Sequence, residues 1–195
     1  DVSLHIGSFF AVVFYFFKDI INFFENKSLF TKILVSSLPV MIVGFFLIET
    51  GLINKIRNIQ TIAWTTFIFA ILLYISDKFK LDKTIKNNFT FKAAILIGLF
   101  QILSLMPGVS RSGIAITAAR ILNYKREDSA KISFLLSIPI LGAVSIFGIQ
   151  NIMFSENLNF TTTNVIAIIF SFFFSFITIK FFLEYIKKFS LNIFV

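Results

Sequence analysis

Residues 93–119 read AAILIGLFQILSLMPGVSRSGIAITAA, and this stretch decides how the chain folds. It is apolar at both ends, but its middle holds the pair Pro107-Gly108 and then Arg111 between two serines. Proline ends a helix because it lacks an amide proton and its ring collides with the preceding turn. Two short helices that meet at a central reversal therefore fit this stretch.

The rest of the chain consists of apolar runs separated by short charged connections. Of its 195 residues, 57 % are hydrophobic and 14 % are charged, whereas soluble domains carry about 25 % charged residues. This composition excludes a disordered chain, a nucleic-acid-binding domain and an ordinary cytosolic enzyme, despite the net charge of +8. It indicates a membrane protein, in which the positive residues belong to the loops.

The apolar runs have the length of membrane-spanning helices. A helix crosses the hydrocarbon core in about 20 residues, and lipid offers no partners for backbone groups outside a helix. We therefore predict one all-α integral membrane domain over 1–195. The apolar segments are 4–24, 33–50, 59–76, 93–106, 132–150 and 163–186.

Lysine and arginine residues orient these segments. Fourteen of the 18 lie in four connections: 18–32, 77–92, 120–131 and 187–188. The connection 51–58 carries two, and 151–162 carries none. Cytoplasmic connections are enriched in Lys and Arg, so 77–92 and 120–131 are both predicted to be cytoplasmic. Residues 93–119 must then enter the membrane and return, as a re-entrant helical hairpin or as two short spans.

The predicted architecture is a polytopic membrane protein with about five transmembrane helices and one re-entrant hairpin at 93–119. The chain begins at Asp1 rather than Met, and it stops at residues 191–195, where another apolar stretch begins. We therefore expect it to be a fragment that lacks sequence at both ends.

The centre of the hairpin has the chemistry of an anion site. Pro107-Gly108 is expected to end one half-helix, and Gly113 to open the next, whose free amides and positive dipole end attract anions. Ser110 or Ser112 can cap this helix, and Arg111 can grip two phosphate oxygens in a fork. A phosphate site within a membrane indicates a lipid phosphate or diphosphate. The alternative is a plain tight turn, with Arg111 extending to the membrane surface.

The stretch Pro107-Gly108-Val109-Ser110-Arg111-Ser112 resembles a signature, Pro-Gly-x-Ser-Arg-Ser, of the bacterial undecaprenyl-diphosphate phosphatases of the bacitracin-resistance type. The likeness extends in order over nearly the whole chain. Its other matching stretches are Asp1–Gly7 with Phe9–Val12, Ser133–Pro139, and Lys180 with Glu184–Lys188.

The resemblance implies an inverted-repeat membrane enzyme whose two re-entrant hairpins meet near the midplane. Such enzymes hydrolyse undecaprenyl diphosphate to undecaprenyl phosphate and phosphate, which recycles the lipid carrier for cell-wall synthesis. The resemblance also implies a multi-pass protein of the bacterial inner membrane, with its active site on the extracytoplasmic side. Its expected cofactor is a divalent cation, Mg²⁺ or Ca²⁺. The expected partners are the polyprenyl diphosphate and the bilayer but no nucleic acid, and a homodimer is left open.

By the same resemblance, Arg111, Ser110 and Ser112 are the expected catalytic residues of the diphosphate pocket. Their neighbours are expected to bind the substrate, and no metal ligand is assigned within this chain. These substrate-binding candidates are Gln101, Gly108, Val109 and Gly113.

The sequence departs from the family pattern in two places. The family's other signature, with two glutamates, a serine and a histidine, is absent, so the cation ligands are expected in a preceding segment and the 195 residues alone are expected to be inactive. Gln101 stands where the first repeat would carry a glutamate. The family's threonine three residues after the second serine is Ala115 here, and Thr117 lies about 200° further around the helix, so it cannot be assumed to replace that hydroxyl.

Other polar residues have simpler interpretations. His5, the single histidine of the chain, is expected to pack between helices. Glu49 and Asp77, at segment ends, are expected to be solvated or to interact with a helix dipole. The alternative function is a transporter or flippase of a lipid phosphate or another anion, because broken helices in inverted repeats are also a transporter design. A non-catalytic scaffold is the third alternative.

Overall fold

A computed structural model describes residues 2–25, 27–78, 82–154 and 162–194. Within these ranges the chain is helical, and an isolated bridge between Lys83 and Tyr124 is the sole β interaction. Two 3₁₀ turns, Leu103–Leu105 and Leu191–Phe194, accompany the α-helices. The helices are α1 Val2–Tyr15, α2 Phe17–Glu25, α3 Lys27–Glu49, α4 Leu52–Ile56, α5 Ile59–Asp77, α6 Ile85–Asn88, α7 Phe91–Ile102, α8 Arg111–Ile121, α9 Arg126–Phe154 and α10 Thr162–Lys188.

Four described helices are long and apolar enough to cross a membrane, namely α3, α5, α9 and α10. The prediction of an all-α polytopic membrane protein is confirmed. The first apolar segment, 4–24, differs from expectation because it divides at Phe16 into α1 and α2. Lys18 and Asp19 follow the division, and the Asp19 carboxylate lies 2.6 Å from Nζ of Lys131 on α9. This ion pair holds α2 at the charged end of the bundle, so α2 does not continue α1.

The helices pack in a bundle whose centre is formed by small and aliphatic side chains. Helix α1 packs on α10 and α9, α3 packs on α7 and α9, and α8 packs on α9, α5 and α7. Helices α3 and α7 approach closely at Gly98, where an added Cβ would lie 2.4 Å from the carbonyl oxygen of Ser36. Small residues at such crossings are typical of membrane helices, whose association depends on close packing.

The outside of the bundle is covered with large apolar side chains. Among those that leave 57 to 65 % of their surface exposed are Phe46, Trp64, Phe67, Phe173 and Phe181. A soluble monomer rarely shows so extensive an apolar surface. The exposed aromatic residues therefore form the face that lipid covers.

The two charged connections that flank 93–119 meet at one end of the bundle. The amide of Lys83 donates to the carbonyl of Asn123 (3.1 Å), and the amide of Lys125 donates to the carbonyl of Lys83 (3.0 Å). The hydroxyl of Tyr124 donates to the carbonyl of Asn88 at 2.7 Å. Helices α7 and α8 thus leave and return to the same end, while their depth in a membrane stays a prediction. Lys80 and most of the 151–162 connection lie outside the described residues.

A buried ion cluster holds this end together, and it corrects one expectation. Asp77 is not solvated at a segment end, because only 1 % of its surface is exposed. Its carboxylate lies 2.6 Å from Nε of Arg126 and 3.5 Å from Nε of Arg120, and it accepts the amide of Leu191 at 2.9 Å. The apolar run before Asp77 indicated that a helix ends at this residue. It carried no sign that α8, α9 and the 3₁₀ turn Leu191–Phe194 converge on the same carboxylate.

Candidate functional site

The reversal between α7 and α8 is anchored to helix α5. The hydroxyl of Thr65 donates to the carbonyl of Pro107, and the hydroxyl of Thr66 donates to the carbonyl of Gly108 at 3.1 Å. Gly108 has φ +93°, and an added Cβ would lie 2.3 Å from Oγ1 of Thr65. Only glycine adopts this backbone conformation without strain, so the sequence Pro-Gly is required where the loop contacts α5.

Helix α8 begins at Arg111, two residues before the predicted start at Gly113, because Ser110 caps it. The amide of Gly113 donates to Oγ of Ser110 at 3.2 Å, and the hydroxyls of Ser110 and Ser112 lie 3.2 Å apart. The predicted capping role is therefore confirmed for Ser110. The first two amides of the helix, of Arg111 and Ser112, have no backbone acceptor among the described residues. They are free to donate, at the positive end of the helix dipole, to an anion.

Arg111 stands at this helix start without a carboxylate partner in the described part of the chain. Arg120 and Arg126 offer a contrast, because both contact the carboxylate of Asp77. An arginine within a membrane bundle normally pairs with an anionic group or faces water. The guanidinium of Arg111 meets this requirement by facing a cavity.

The cavity has a volume of about 1160 Å³ and is bounded by α1, α3, α8, α9 and α10. Arg111 and Ser112 contribute to its wall from α8. Hydroxyl groups from other elements surround them, whereas most of the remaining wall is aliphatic or aromatic. These hydroxyls belong to Ser8, Ser104, Ser133, Ser137, Ser175 and Thr178.

The structure divides the seven predicted site residues into two sets. Arg111 and Ser112 line the cavity. The remaining five form the loop and helix start or lie behind them: Gln101, Gly108, Val109, Ser110 and Gly113. Gln101 is buried with 1 % of its surface exposed, and its side-chain nitrogen has no hydrogen-bond partner among the residues that the structure describes. Direct contact of these five with a substrate stays a prediction, while Gly108 and Ser110 have a clear role in shaping the loop.

Several site residues were not found from the sequence. Thr65 and Thr66, which hold the loop, gave no signal because the crossing of α5 over it is not local. His5 lines the cavity rather than packing between helices. Its spacing to Ser8 and Val12 could have placed it on a shared helix face.

Thr117 does not substitute for the hydroxyl missing at Ala115. It is buried, and its hydroxyl donates to the carbonyl of Gly113 at 2.8 Å, back into its own helix. The hydroxyl of Ser133, from α9, instead approaches the loop and donates to the carbonyl of Ser112 at 3.3 Å. The hydroxyl that lies beside the loop and lines the cavity is thus supplied by Ser133 of α9 and not by Thr117 of α8.

Comparison with known proteins identifies the family. Residues 1–195 match the model of the family described as Bacitracin resistance protein BacA. The chain belongs to the BacA family. The membership predicted from Pro107-Gly108-Val109-Ser110-Arg111-Ser112 is therefore confirmed.

Individual relatives from the BacA family align with most or all of the chain. A protein named undecaprenyl-diphosphatase from Pelagibacter ubique (strain HTCC1062) is 50 % identical over 197 residues, which cover 100 % of this chain and 76 % of the relative. One of the same name from Saccharophagus degradans (strain 2-40 / ATCC 43961 / DSM 17024) is 35 % identical, with 100 % and 77 % covered. One from Ruegeria sp. (strain TM1040) is 39 % identical, with 72 % and 58 % covered.

Proposed function

We propose that this BacA-family chain acts in the hydrolysis of undecaprenyl diphosphate to undecaprenyl phosphate and phosphate. The reaction would return the lipid carrier to cell-wall synthesis and would underlie bacitracin resistance. Relatives that bear the name undecaprenyl-diphosphatase support the assignment. The observation that carries it is the guanidinium of Arg111, which lies at a helix start, faces a large cavity and contacts no described carboxylate.

Arg111 is proposed to bind the diphosphate and to stabilise the transition state. Water adds to the terminal phosphorus while the bond from that phosphorus to the bridging oxygen breaks, and undecaprenyl phosphate leaves. Charge is spread over the oxygens of the transferred group, where a planar, two-pronged cation and free helix amides stabilise it. The hydroxyl of Ser112 is positioned on the same wall to donate to a phosphate oxygen, and Ser110 orients both residues by capping α8.

The rest of the cavity suits the lipid part of this substrate. Its wall is largely apolar, and side chains such as Phe45, Ile140 and Val144 contribute to it. A volume of about 1160 Å³ exceeds the range of about 300–1,000 Å³ of drug-sized sites. It therefore accommodates a diphosphate together with the first isoprene units of a polyprenyl chain.

The proposed orientation places the cavity mouth outside the cell, in the bacterial cell membrane. Glu49 ends α3 and Gln150 lies near the end of α9, and both line the cavity at helix ends remote from the Asp77 cluster. If the lysine-rich end is cytoplasmic, these residues lie at the extracytoplasmic side, and 93–119 forms a re-entrant hairpin. Because the chain has no cysteine, single cysteines at Asn88 and Lys125 test this. Both should react with impermeant reagents from the cytoplasmic side alone.

A divalent cation and a homodimer are further proposals that rest on the family resemblance. The described residues contain no group of three His, Asp or Glu side chains that could hold a metal ion. These residues do not fit such an ion by themselves. The transporter alternative gains no support from the relatives, and we do not propose it.

The decisive experiment measures phosphate release from undecaprenyl diphosphate by the full-length protein and by its Arg111→Ala and Arg111→Lys variants. We expect Arg111→Ala to lose at least about 100-fold in kcat/KM, as removal of one transition-state donor does. Lysine should restore only part of the activity because it lacks the planar fork. Arg57→Ala, in an exposed connection, is the control that keeps wild-type activity. Activity of Arg111→Ala within about threefold of wild type would remove this residue, and the proposed site with it.

A further inference from the structure

Helix α1 presents one face, which carries the polar residues His5 and Ser8, to the cavity lined by Arg111. His5, Ser8 and Val12 line the cavity, and their spacing of three and four residues places them on one side of a helix. The neighbouring face of α1 packs instead against α10, since an added Cβ on Gly7 would lie 2.4 Å from the carbonyl of Ile168. The direction of His5 into the cavity is therefore fixed by how α1 and α10 pack.

The imidazole of His5 differs from the hydroxyls of Ser8 and Ser137 because it makes no hydrogen bond within the described part of the chain. Ser8 already contacts Ser171 (3.1 Å) and Ser175 (2.9 Å) through its hydroxyl, and Ser137 donates to the carbonyl of Phe134. Within the described residues, His5 has no hydrogen bond or ion pair. An ionisable side chain on an apolar helix that faces a cavity indicates a functional contact rather than a packing role.

His5 from α1 and Arg111 from α8 both line this cavity. Glu49 is the carboxylate that lines the same cavity in the described chain, and it contacts neither residue within salt-bridge distance. Two side chains that can donate N–H groups, from α1 and α8, thus line one cavity. A phosphate group can accept a hydrogen bond from each of them at once.

We propose that His5 is a second phosphate-binding residue of this cavity, which donates a ring N–H to an oxygen of the diphosphate held by Arg111. This inference rests on the proposed function and adds a contact from α1 to it. It predicts that the substrate's head is clamped between α1 and α8, so that the separation of these helices selects a diphosphate. Ser8, one turn further along α1, would then border the first isoprene units.

The test compares His5→Gln and His5→Phe in the full-length protein. Glutamine keeps a side-chain N–H donor of similar reach, whereas phenylalanine keeps a ring of similar size without one. We expect His5→Phe to lose about 10- to 100-fold in kcat/KM, the effect of one hydrogen bond to a charged group, and to bind inorganic pyrophosphate more weakly by a similar factor. His5→Gln should stay within about fivefold of wild type in both measurements, by the same reasoning.

Leu4→Ala provides the control, since Leu4 precedes His5 and is 50 % exposed on the outer face of α1. Its activity and pyrophosphate affinity should match wild type. If His5→Phe equals wild type while Arg111→Ala is inactive, His5 is not a phosphate ligand but the proposed function stands. Equal losses in His5→Gln and His5→Phe would show a packing role and also overturn the inference. An active Arg111→Ala variant would instead remove the proposed function.

Discussion

The buried carboxylate of Asp77 provides the sharpest test of the fold. It serves two arginines and one backbone amide, at 2.6 Å from Arg126, 3.5 Å from Arg120 and 2.9 Å from the amide of Leu191. Asp77→Asn keeps the shape and an acceptor for Leu191, but it removes the negative charge. With its oxygen towards Leu191, the new side chain turns an NH₂ group towards the two arginines, so the variant removes both the charge and the acceptor that they share.

The expected loss follows from the exposure of the two arginines. Breaking a fully buried pair costs about 3–5 kcal/mol because the remaining charge is left uncompensated. Arg120 is 3 % exposed and incurs this cost, whereas Arg126 is 35 % exposed and is screened by solvent. Taking the lower end, about 3 kcal/mol, and about 2–4 °C per kcal/mol for a chain of this size, the melting temperature should fall by about 6–12 °C.

The assay is thermal unfolding of the purified protein in detergent, followed through the fluorescence of Trp64. Asp19→Asn is the matched control, since the Asp19–Lys131 pair is also 2.6 Å long but both partners are 29 % exposed. Such a pair is worth about 1 kcal/mol or less. Adding Arg120→Met to Asp77→Asn should recover stability, because it removes the uncompensated charge. A shift for Asp77→Asn no larger than that of the control would refute a buried ion cluster.

Three further predictions concern the loop, the charged end and the cofactor. Gly108→Ala should lower activity at least tenfold and destabilise the protein by about 1–3 kcal/mol, because φ is +93° and Thr65 occupies the space of the new Cβ. Phosphate release measures the first effect and thermal unfolding the second. Burial, with a smaller contribution from Asp128, raises the pKa of Tyr124. The neutral phenol of Tyr124 therefore stabilises the folded protein fully below its usual pKa of about 10, and this stabilisation is lost as the pH rises further. In melting experiments, Tyr124→Phe should lose this pH dependence. Chelation should abolish phosphate release by the full-length protein, and Mg²⁺ or Ca²⁺ should restore it. Undiminished activity after exhaustive chelation would contradict the cation proposal.

The helices could be predicted from the sequence because their cause is local. A run of about 20 apolar residues has one economical structure in lipid. The segments 59–76, 132–150 and 163–186 lie within long helices, and 33–50 extends one residue past the end of α3. The segment 4–24 was the exception. Hydropathy averages over charged residues such as Lys18 and Asp19, and it does not register that Asp19 pairs with a residue on α9.

The centre of the candidate site was also predictable, for the same reason. A proline, a left-handed glycine and a capping serine each act within a few residues, so a helix start just after Pro107-Gly108 followed from the order of residue types, although α8 begins at Arg111 rather than at the predicted Gly113. The partners across the bundle did not. Thr65, Ser133 and His5 lie 46, 22 and 106 positions from Arg111, and one sequence carries no signal for contacts at such distances.

By itself, the sequence determined a helical membrane protein, the reversal in 93–119 and an arginine at the mouth of a half-helix. Hydrophobicity, proline and glycine act over distances that range from one helix turn to the length of one helix. Their effects can therefore be predicted from neighbouring residues in the sequence. Only the tertiary structure decided which side chains face that arginine, which carboxylate is buried and which helix holds the loop. Those outcomes depend on how helices cross, and a crossing is set by the close packing of small residues, such as Gly98 against Ser36, that are far apart in the chain.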